Sequence, residues 1–269
     1  MNIYQVEPMT YTPFAQESFL SQLAREGFVL VDHPNQADLL LSRSFDDLLP
    51  VLQKYTSCQE ALIWTHEPRF DTTFSKVQYL RNGAKVHIMN CYTKDIYCDN
   101  YRYCFRYEES LPVPNYQGFT REKGKKIATI ASFKDLGALQ KDNINIDLTA
   151  LRNQIAMEGY RLGKGDLYGP GWPPGMAIED FRYHEDRKNK KIDTLKKYHF
   201  NLCFENTNIA YYCTEKIWEC LAAGCLPIYY GNDTIYEDFP RESFLDYRKF
   251  QSPIDLFRYI ENMDIQEYN

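Results

Sequence analysis

An α/β protein with two parallel, doubly wound halves is the fold class this sequence predicts, and three observations predict it. Short apolar runs of strand length alternate with segments of helical period along most of the chain. That alternation places helices on both faces of a parallel sheet. The chain has 269 residues, enough for two domains of roughly 130 residues each. The stretch "PVPNYQGFTREKGKK" (112–126) has the proline, glycine and charge content of a linker, and the alternation restarts after it.

Taken in order, "FLSQLARE" (19–26) has helical spacing and "GFVLVDH" (27–33) is a short apolar run ending in a turn. "ADLLLSRS" (37–44) reads as a strand, "FDDLLPVLQKY" (45–55) as a helix, and "EALIWTHEP" (60–68) as a buried strand leaving into a loop. "KVHIMNCYT" (85–93) is a further strand. In the second half "IATIASF" (127–133) reads as strand, and "DLTALRNQIAMEGYRL" (147–162) as helix with Asp147 as its N-cap. "GDLYGPGWPPG" (165–175) reads as a loop and "FRYHEDRKNKKI" (181–192) as a solvated charged stretch. "HFNLCF" is a strand, "TEKIWECLAAG" (214–224) a helix capped by Thr214 and ended by Gly224, "LPIYYG" (226–231) a strand, and "SPIDLFRYIENM" (252–263) a last helix. The expected halves are residues 1–120 and 121–269.

Composition narrows the function classes. Hydrophobic residues at 44% supply a sizeable core, and a net charge of −6 gives no general attraction to nucleic acid. Eight cysteines form no C-x-x-C pair, so they are expected as reduced core residues of a reducing compartment. The five histidines show no H-x-x-x-H pairing, and no metal site is expected. The start "MNIYQVEPMTYTPF" lacks a signal-peptide pattern and no segment reaches ~18 apolar residues, so the expectation is a cytoplasmic chain without a membrane span. The 22 tyrosines suit half-buried strand and rim positions, and also sugar-facing surfaces.

The chemistry concentrates in "HFNLCFENTNIAYYCTEKIWECLAAGCLPIYYGND" (199–233). A helix that begins T-E-K after a strand and loop sets free backbone N–H groups and a positive dipole end beside Lys216, which is an anion site. Glu215 fits a ligand that also offers hydroxyls, as a nucleotide sugar does, and Asn206 and Tyr212 add hydrogen-bonding groups. The plainer reading is a capping threonine followed by two surface charges. Glycine-rich phosphate loops, a G-x-G-x-x-G fingerprint and a G-x-S-x-G elbow are all absent. No Asp is followed two places on by another Asp, so the D-x-D metal clamp of many sugar transferases is missing.

These residues resemble the donor-binding signature of the family-10 glycosyltransferases, the α-1,3/1,4-fucosyltransferases, and especially their bacterial members. The elements F-x-x-x-F-E-N, Y-x-T-E-K and G-x-x-P-I-x-x-G stand at the family's spacing, and the likeness covers roughly residues 127–250. It implies a GT-B fold, two Rossmann-like doubly wound domains facing each other across a cleft, acceptor side first and donor side second. It further implies GDP-fucose as co-substrate, inversion at the anomeric carbon, no cofactor and no obligatory metal.

Carried over by position, Lys216 contacts the donor diphosphate or ribose and Glu215 hydrogen-bonds the fucose. Asn206 and Tyr212 line the donor pocket, and Arg152 in "LTALRNQI" is the diphosphate clamp. A solvated helix face is the plainer reading of Arg152. Glu67 in "IWTHEPRFD" matches the acidic segment that carries the general base, with His66 and Arg69 beside it, and Asp95, Asp99 and His87 as rivals. The implied acceptor is an oligosaccharide or lipopolysaccharide glycan, and peripheral contact with the inner face of a membrane is compatible with it. Two other readings stay open: a transferase for another GDP-deoxysugar, and a non-catalytic nucleotide-sugar or glycan binding domain.

Overall fold

A computed structural model describes residues 1–10, 12–96 and 114–269. The chain divides into two compact units, Met1–Cys98 and Asp99–Asn269.

The first unit holds strands β1 (Asn2–Gln5), β2 (Val29–Leu30), β3 (Leu39–Ser42), β4 (Glu60–Trp64), β5 (Val77–Tyr79) and β6 (Lys85–Met89), in the sheet order β2-β1-β3-β4-β6-β5. All neighbours are parallel except β5, which runs antiparallel on the edge beside β6. Helix α1 (Glu17–Arg25) lies over one face, where Phe19 and Leu23 meet Ile3 and Leu41. Helix α2 (Phe45–Lys54) lies over the other, setting Leu48 and Leu52 against Leu40, Ala61 and Ile63. Adjacent strand residues serve opposite faces, as the pleat requires. The α2 start is fixed by Ser44, whose hydroxyl accepts from Asp47 N at 3.1 Å.

The second unit carries β7 (Ile127–Ile130), β8 (Gln140–Lys141), β9 (Ile144–Asn145), α3 (Thr149–Arg161), β10 (Gly165–Tyr168), β11 (Ala177–Glu179), α4 (Arg187–Leu195), β12 (Phe200–Leu202), α5 (Glu215–Ala222), β13 (Leu226–Tyr229), β14 (Leu245–Asp246), α6 (Pro253–Asn262) and α7 (Ile265–Tyr268). Strands β8 and β9 make a small separate hairpin. The main sheet has the order β11-β10-β7-β12-β13-β14, every pair parallel. Counting its strands in chain order, that is 3-2-1-4-5-6, the dinucleotide-fold arrangement. Ile155, Leu167, Phe200, Leu202, Leu256 and Ile260 join α3 and α6 to one face. Leu195, Tyr198, Ile217, Cys220 and Tyr229 join α4 and α5 to the other.

The structure departs from the sequence reading in several places. "GDLYGPGWPPG" is a loop only in its second part, because Gly165–Tyr168 form β10, beside β7. The charged stretch 181–192 runs into helix α4, which is not wholly solvated, since Lys191 lies against α5. Strands β1, β5, β8, β9, β11 and β14 had no counterpart in the reading. Residues 114–126, linker-like in composition, are packed into the second unit. Arg121 donates to Ala223 O at 3.0 Å, and Phe119 stacks on Phe200 at 6.0 Å between ring centroids. The six described cysteines, Cys58, Cys91, Cys203, Cys213, Cys220 and Cys225, are free and buried as expected, while Cys98 and Cys104 lie outside the described residues.

Candidate active site

In the second unit the strand order reverses between β7 and β12, and the loops leaving their carboxyl ends diverge there. Such a reversal is where open α/β sheets take their ligands. The loop after β7 is held by the glycine- and proline-rich loop after β10. Ala131 N donates to Tyr168 O at 3.0 Å, Phe133 N to Pro170 O at 2.9 Å, and Trp172 Nε1 to Ala131 O at 3.0 Å. This closeness requires Gly169, which sits at φ +104° and whose added Cβ would come 2.5 Å from Ala131 O.

Arg152 reaches this point from α3 and is buried, at 4% exposure. Its Nη1 donates to Asn206 Oδ1 at 2.9 Å and its Nη2 to Ser132 O at 3.3 Å. The guanidinium therefore ties together the two loops of the switch point. Its Nε is buried without a hydrogen-bond partner among the described residues. Burial lowers the Arg152 pKa, with Glu205, Tyr212 and Asp147 acting the other way. The plainer reading, a solvated helix position, is overturned by this burial. The start of α3 is tied to the same loop, since Leu148 N donates to Asn206 O at 3.0 Å. Asp147 supports it as expected, accepting from Ala150 N at 3.2 Å, although the N-cap position itself is Leu148.

Glu205, fully buried at the end of β12, accepts from Thr214 N and Thr214 Oγ1 at 2.8 Å each and from Lys216 Nζ at 3.0 Å. Lys216 Nζ also donates to Thr214 Oγ1 at 2.6 Å. Thr214 occupies the N-cap position of α5 but makes no side-chain cap hydrogen bond, which corrects the capping expected of it. Its hydroxyl bridges Glu205 and Lys216 instead. Burial alone would lower the Lys216 pKa, but Glu205 and Glu215 raise it, so the ammonium is held charged. Glu215 goes the other way. Burial raises its pKa, yet Lys216, Lys191 and Arg187 bring it down to about 2.

Tyr212 is buried at 3% exposure on the loop between Glu205 and α5, near Arg152. The structure thus brings Asn206, Tyr212 and Lys216 near Arg152, while Glu215 lies beside Lys216 and towards Lys191 and Arg187 of α4. Sequence reasoning missed Glu205, whose signal was an acid ending an apolar strand run. It also missed Arg182, which donates to Ser132 Oγ at 2.8 Å beside the Arg152 contact.

Glu67 belongs to the first unit, where it follows β4 and precedes the short 3-10 turn Pro68–Phe70. Its N–H donates to Thr65 Oγ1 at 3.1 Å and its carbonyl accepts from Phe70 N at 3.0 Å, fixing the backbone at the carboxyl end of the sheet. The buried Asp71 closes the turn, accepting from Thr73 N at 3.0 Å and from the Tyr92 hydroxyl, and burial raises its pKa. Of the rivals, Asp95 pairs with Lys76 at 3.2 Å and His87 with Glu60 at 3.0 Å. Asp99 lies outside the described residues. Among the described residues no group of three or more His, Cys, Asp or Glu side chains could hold a metal ion, and no helix is long and apolar enough to cross a membrane.

Part of the chain is similar to known proteins. Residues 164–269 match the family model described as glycosyltransferase family 10 (fucosyltransferase), C-terminal region. The alpha-(1,3)-fucosyltransferase FucT of Helicobacter pylori is 41% identical over 76 residues, 27% of this chain and 16% of that protein. A chimpanzee 3-galactosyl-N-acetylglucosaminide 4-alpha-L-fucosyltransferase is 40% identical over 133 residues, 48% of this chain and 32% of that protein. The chain thus spans a third or less of the length of these curated relatives. In fold it resembles the crystal structure of an alpha1,3-fucosyltransferase with GDP-fucose, with a TM-score of 0.54 at 18% identity, over 100% of this chain and 80% of that one. The likeness to glycosyltransferase family 10 thus rests on this C-terminal segment and the motif it contains.

Proposed function

We propose that the chain is an inverting fucosyltransferase. It moves L-fucose from GDP-fucose to a hydroxyl, O3 or O4 of N-acetylglucosamine, on an acceptor oligosaccharide or lipopolysaccharide glycan. The observation that carries this reading is the convergence of Arg152 and Lys216 with the start of α5 at the switch point of a parallel sheet. A diphosphate suits that place, and the carboxylate of Glu215 suits the hydroxyls of an attached sugar. Support also comes from the relatives, which are named as fucosyltransferases.

In this reading the acceptor oxygen attacks the fucose anomeric carbon as its bond to the diphosphate breaks. Arg152 and Lys216 stabilise the charge that develops on the departing GDP, the task a divalent ion performs in D-x-D transferases. Glu67, on the acceptor-side unit, takes the proton of the attacking hydroxyl. Asn206 and Tyr212 complete the donor pocket, Asn206 by orienting the Arg152 fork. We place the enzyme in the cytoplasm, with peripheral membrane contact where the acceptor is a lipid-linked glycan.

The test is transfer from GDP-fucose to N-acetyllactosamine and to lacto-N-biose, in EDTA and with Mn²⁺. A fucosylated product formed in EDTA is the expected result. Product only with the metal would overturn the charge-compensation reading. Transfer of mannose but not fucose would overturn the donor assignment.

A further inference from the structure

Helix α5 presents two carboxylates one turn apart, Glu215 and Glu219, on the same face. Glu219 is buried, at 4% exposure, and meets Lys191 of α4. Two like charges at this spacing repel, and a buried carboxylate demands a cation or strong donors. The cation comes from α4: Lys191 Nζ pairs with Glu219 and stands 4.0 Å from Glu215 Oε1. The Lys191 side chain is only 15% exposed, against 34% for Glu215. A lysine that deep, anchored on the more buried acid and touching the more exposed one, does more than dress a surface.

We propose that Lys191 is a positioning residue for Glu215, spanning Glu219 and Glu215 so that the carboxylate facing the donor sugar keeps one place and its charge. The proposal rests on the reading of Glu215 as a sugar contact. The charged groups facing Glu215 are Lys216 on its own helix and Lys191 and Arg187 on α4, and together they lower its pKa against the effect of burial. Lys216 is also engaged by Glu205 at 3.0 Å, which leaves Lys191 as the cation anchored on the α4 side. Glu219 is the anchor in turn, because of the two acids it does more to hold the lysine amine charged against burial.

The experiment compares wild type, Lys191→Met, Lys191→Arg and Glu219→Gln by two measurements. The first is the titration of the Glu215 carboxyl followed by ¹³C NMR in the ligand-free protein. Lys191→Met should move it upward by about one pH unit or more, the effect of losing an opposite charge at this range. The second is the affinity for GDP-fucose against that for GDP. Lys191→Met should weaken GDP-fucose on the order of tenfold, a coupling typical of residues in contact, while leaving GDP close to wild type. Lys191→Arg should restore most of both values, and Glu219→Gln should show a smaller loss of the same kind. An unchanged Glu215 titration in Lys191→Met overturns the inference, as does an equal loss for GDP and GDP-fucose, which marks a general packing role. Should Lys191→Met not fold, Glu219→Gln carries the same two readouts. Wild-type protein that binds neither nucleotide contradicts the donor reading instead, and the ligand-free titration still decides on Lys191.

Discussion

Lys216 and Glu205 form an ion pair at 3.0 Å in which the carboxylate is fully buried and the ammonium keeps 17% of its side chain exposed. The pair is closed by Thr214, which donates its hydroxyl to Glu205 at 2.8 Å and accepts from Lys216 at 2.6 Å. An ammonium has three donors; two go to Glu205 and Thr214, and in the proposed function the third meets the donor phosphate. The cation of the T-E-K motif is therefore preorganised by an acid nine residues before Thr214, and in the proposed function its structural role cannot be separated from phosphate binding by one substitution.

Lys216→Ala leaves Glu205 buried without its cation. Breaking a buried pair from one side costs about 3–5 kcal/mol. The melting temperature should fall accordingly, and Lys216→Ala with Glu205→Gln should recover part of it by removing the orphaned charge. Donor affinity should stay low in both, because the phosphate contact is gone in both. Thermal melting and GDP titration of the two variants check this, and equal melting temperatures for wild type and Lys216→Ala would refute the buried-pair description.

Glu67→Gln should leave GDP-fucose binding close to wild type while cutting transfer by roughly 10²–10⁴-fold, the usual contribution of a positioned base. The acidic limb of the pH–rate profile should flatten in the same variant. Near-normal transfer, with the loss appearing in Asp95→Asn or Asp99→Asn, would move the base elsewhere in the first half of the chain.

Gly169→Ala probes the support of the Arg152 contact on Ser132. The new Cβ would meet Ala131 O at 2.5 Å, at a φ of +104° that side chains rarely adopt. The loop after β7 must shift, and Arg152 loses the carbonyl that fixes its Nη2. The expected result is a loss of about 1–3 kcal/mol in stability together with weaker GDP binding. Unchanged melting and unchanged GDP affinity would show that the loop tolerates movement.

His199 gives the pH dependence a second origin. It is fully buried among Tyr116, Phe119 and Tyr268, accepts from Arg121 N at 3.2 Å on Nε2, and burial and Arg121 push its pKa down to about 4. The unfolded chain then binds a proton near pH 6.5 that the folded one refuses, so stability falls as pH drops from about 6.5 towards 4. Denaturant midpoints between pH 7 and 5 should decline in wild type and decline less in His199→Gln. Equal slopes would contradict the buried neutral imidazole.

Much of the second unit was legible in sequence because its signals are local. The β12–α5–β13 unit pairs apolar runs with a helix of clear period, bounded by Thr214 and Gly224. What failed to show depends on contacts distant along the chain or on short elements. Strand β1 carries "NIYQ", with little apolar signal, yet it lies inside its sheet between β2 and β3. Strand β10 opens with Gly165 and Asp166 and merges into a glycine- and proline-rich loop. Helix α4 reads "RKNKKIDTL" and buries only Leu195 by residue, so it has no apolar stripe to recognise. Its Lys191 finds Glu219 on another helix, and nothing in the spacing announces that meeting.

In the proposed function the switch point of the second unit holds the donor diphosphate on Arg152. Calorimetric titration of GDP-fucose into wild type and Arg152→Lys, both in EDTA, tests it most directly. A point charge cannot reproduce a guanidinium that spans Asn206 and Ser132. The expected result is saturable binding to wild type and an affinity lower by about 2–4 kcal/mol in the variant, the size of a lost charge-assisted contact. Wild-type affinity in Arg152→Lys would contradict it.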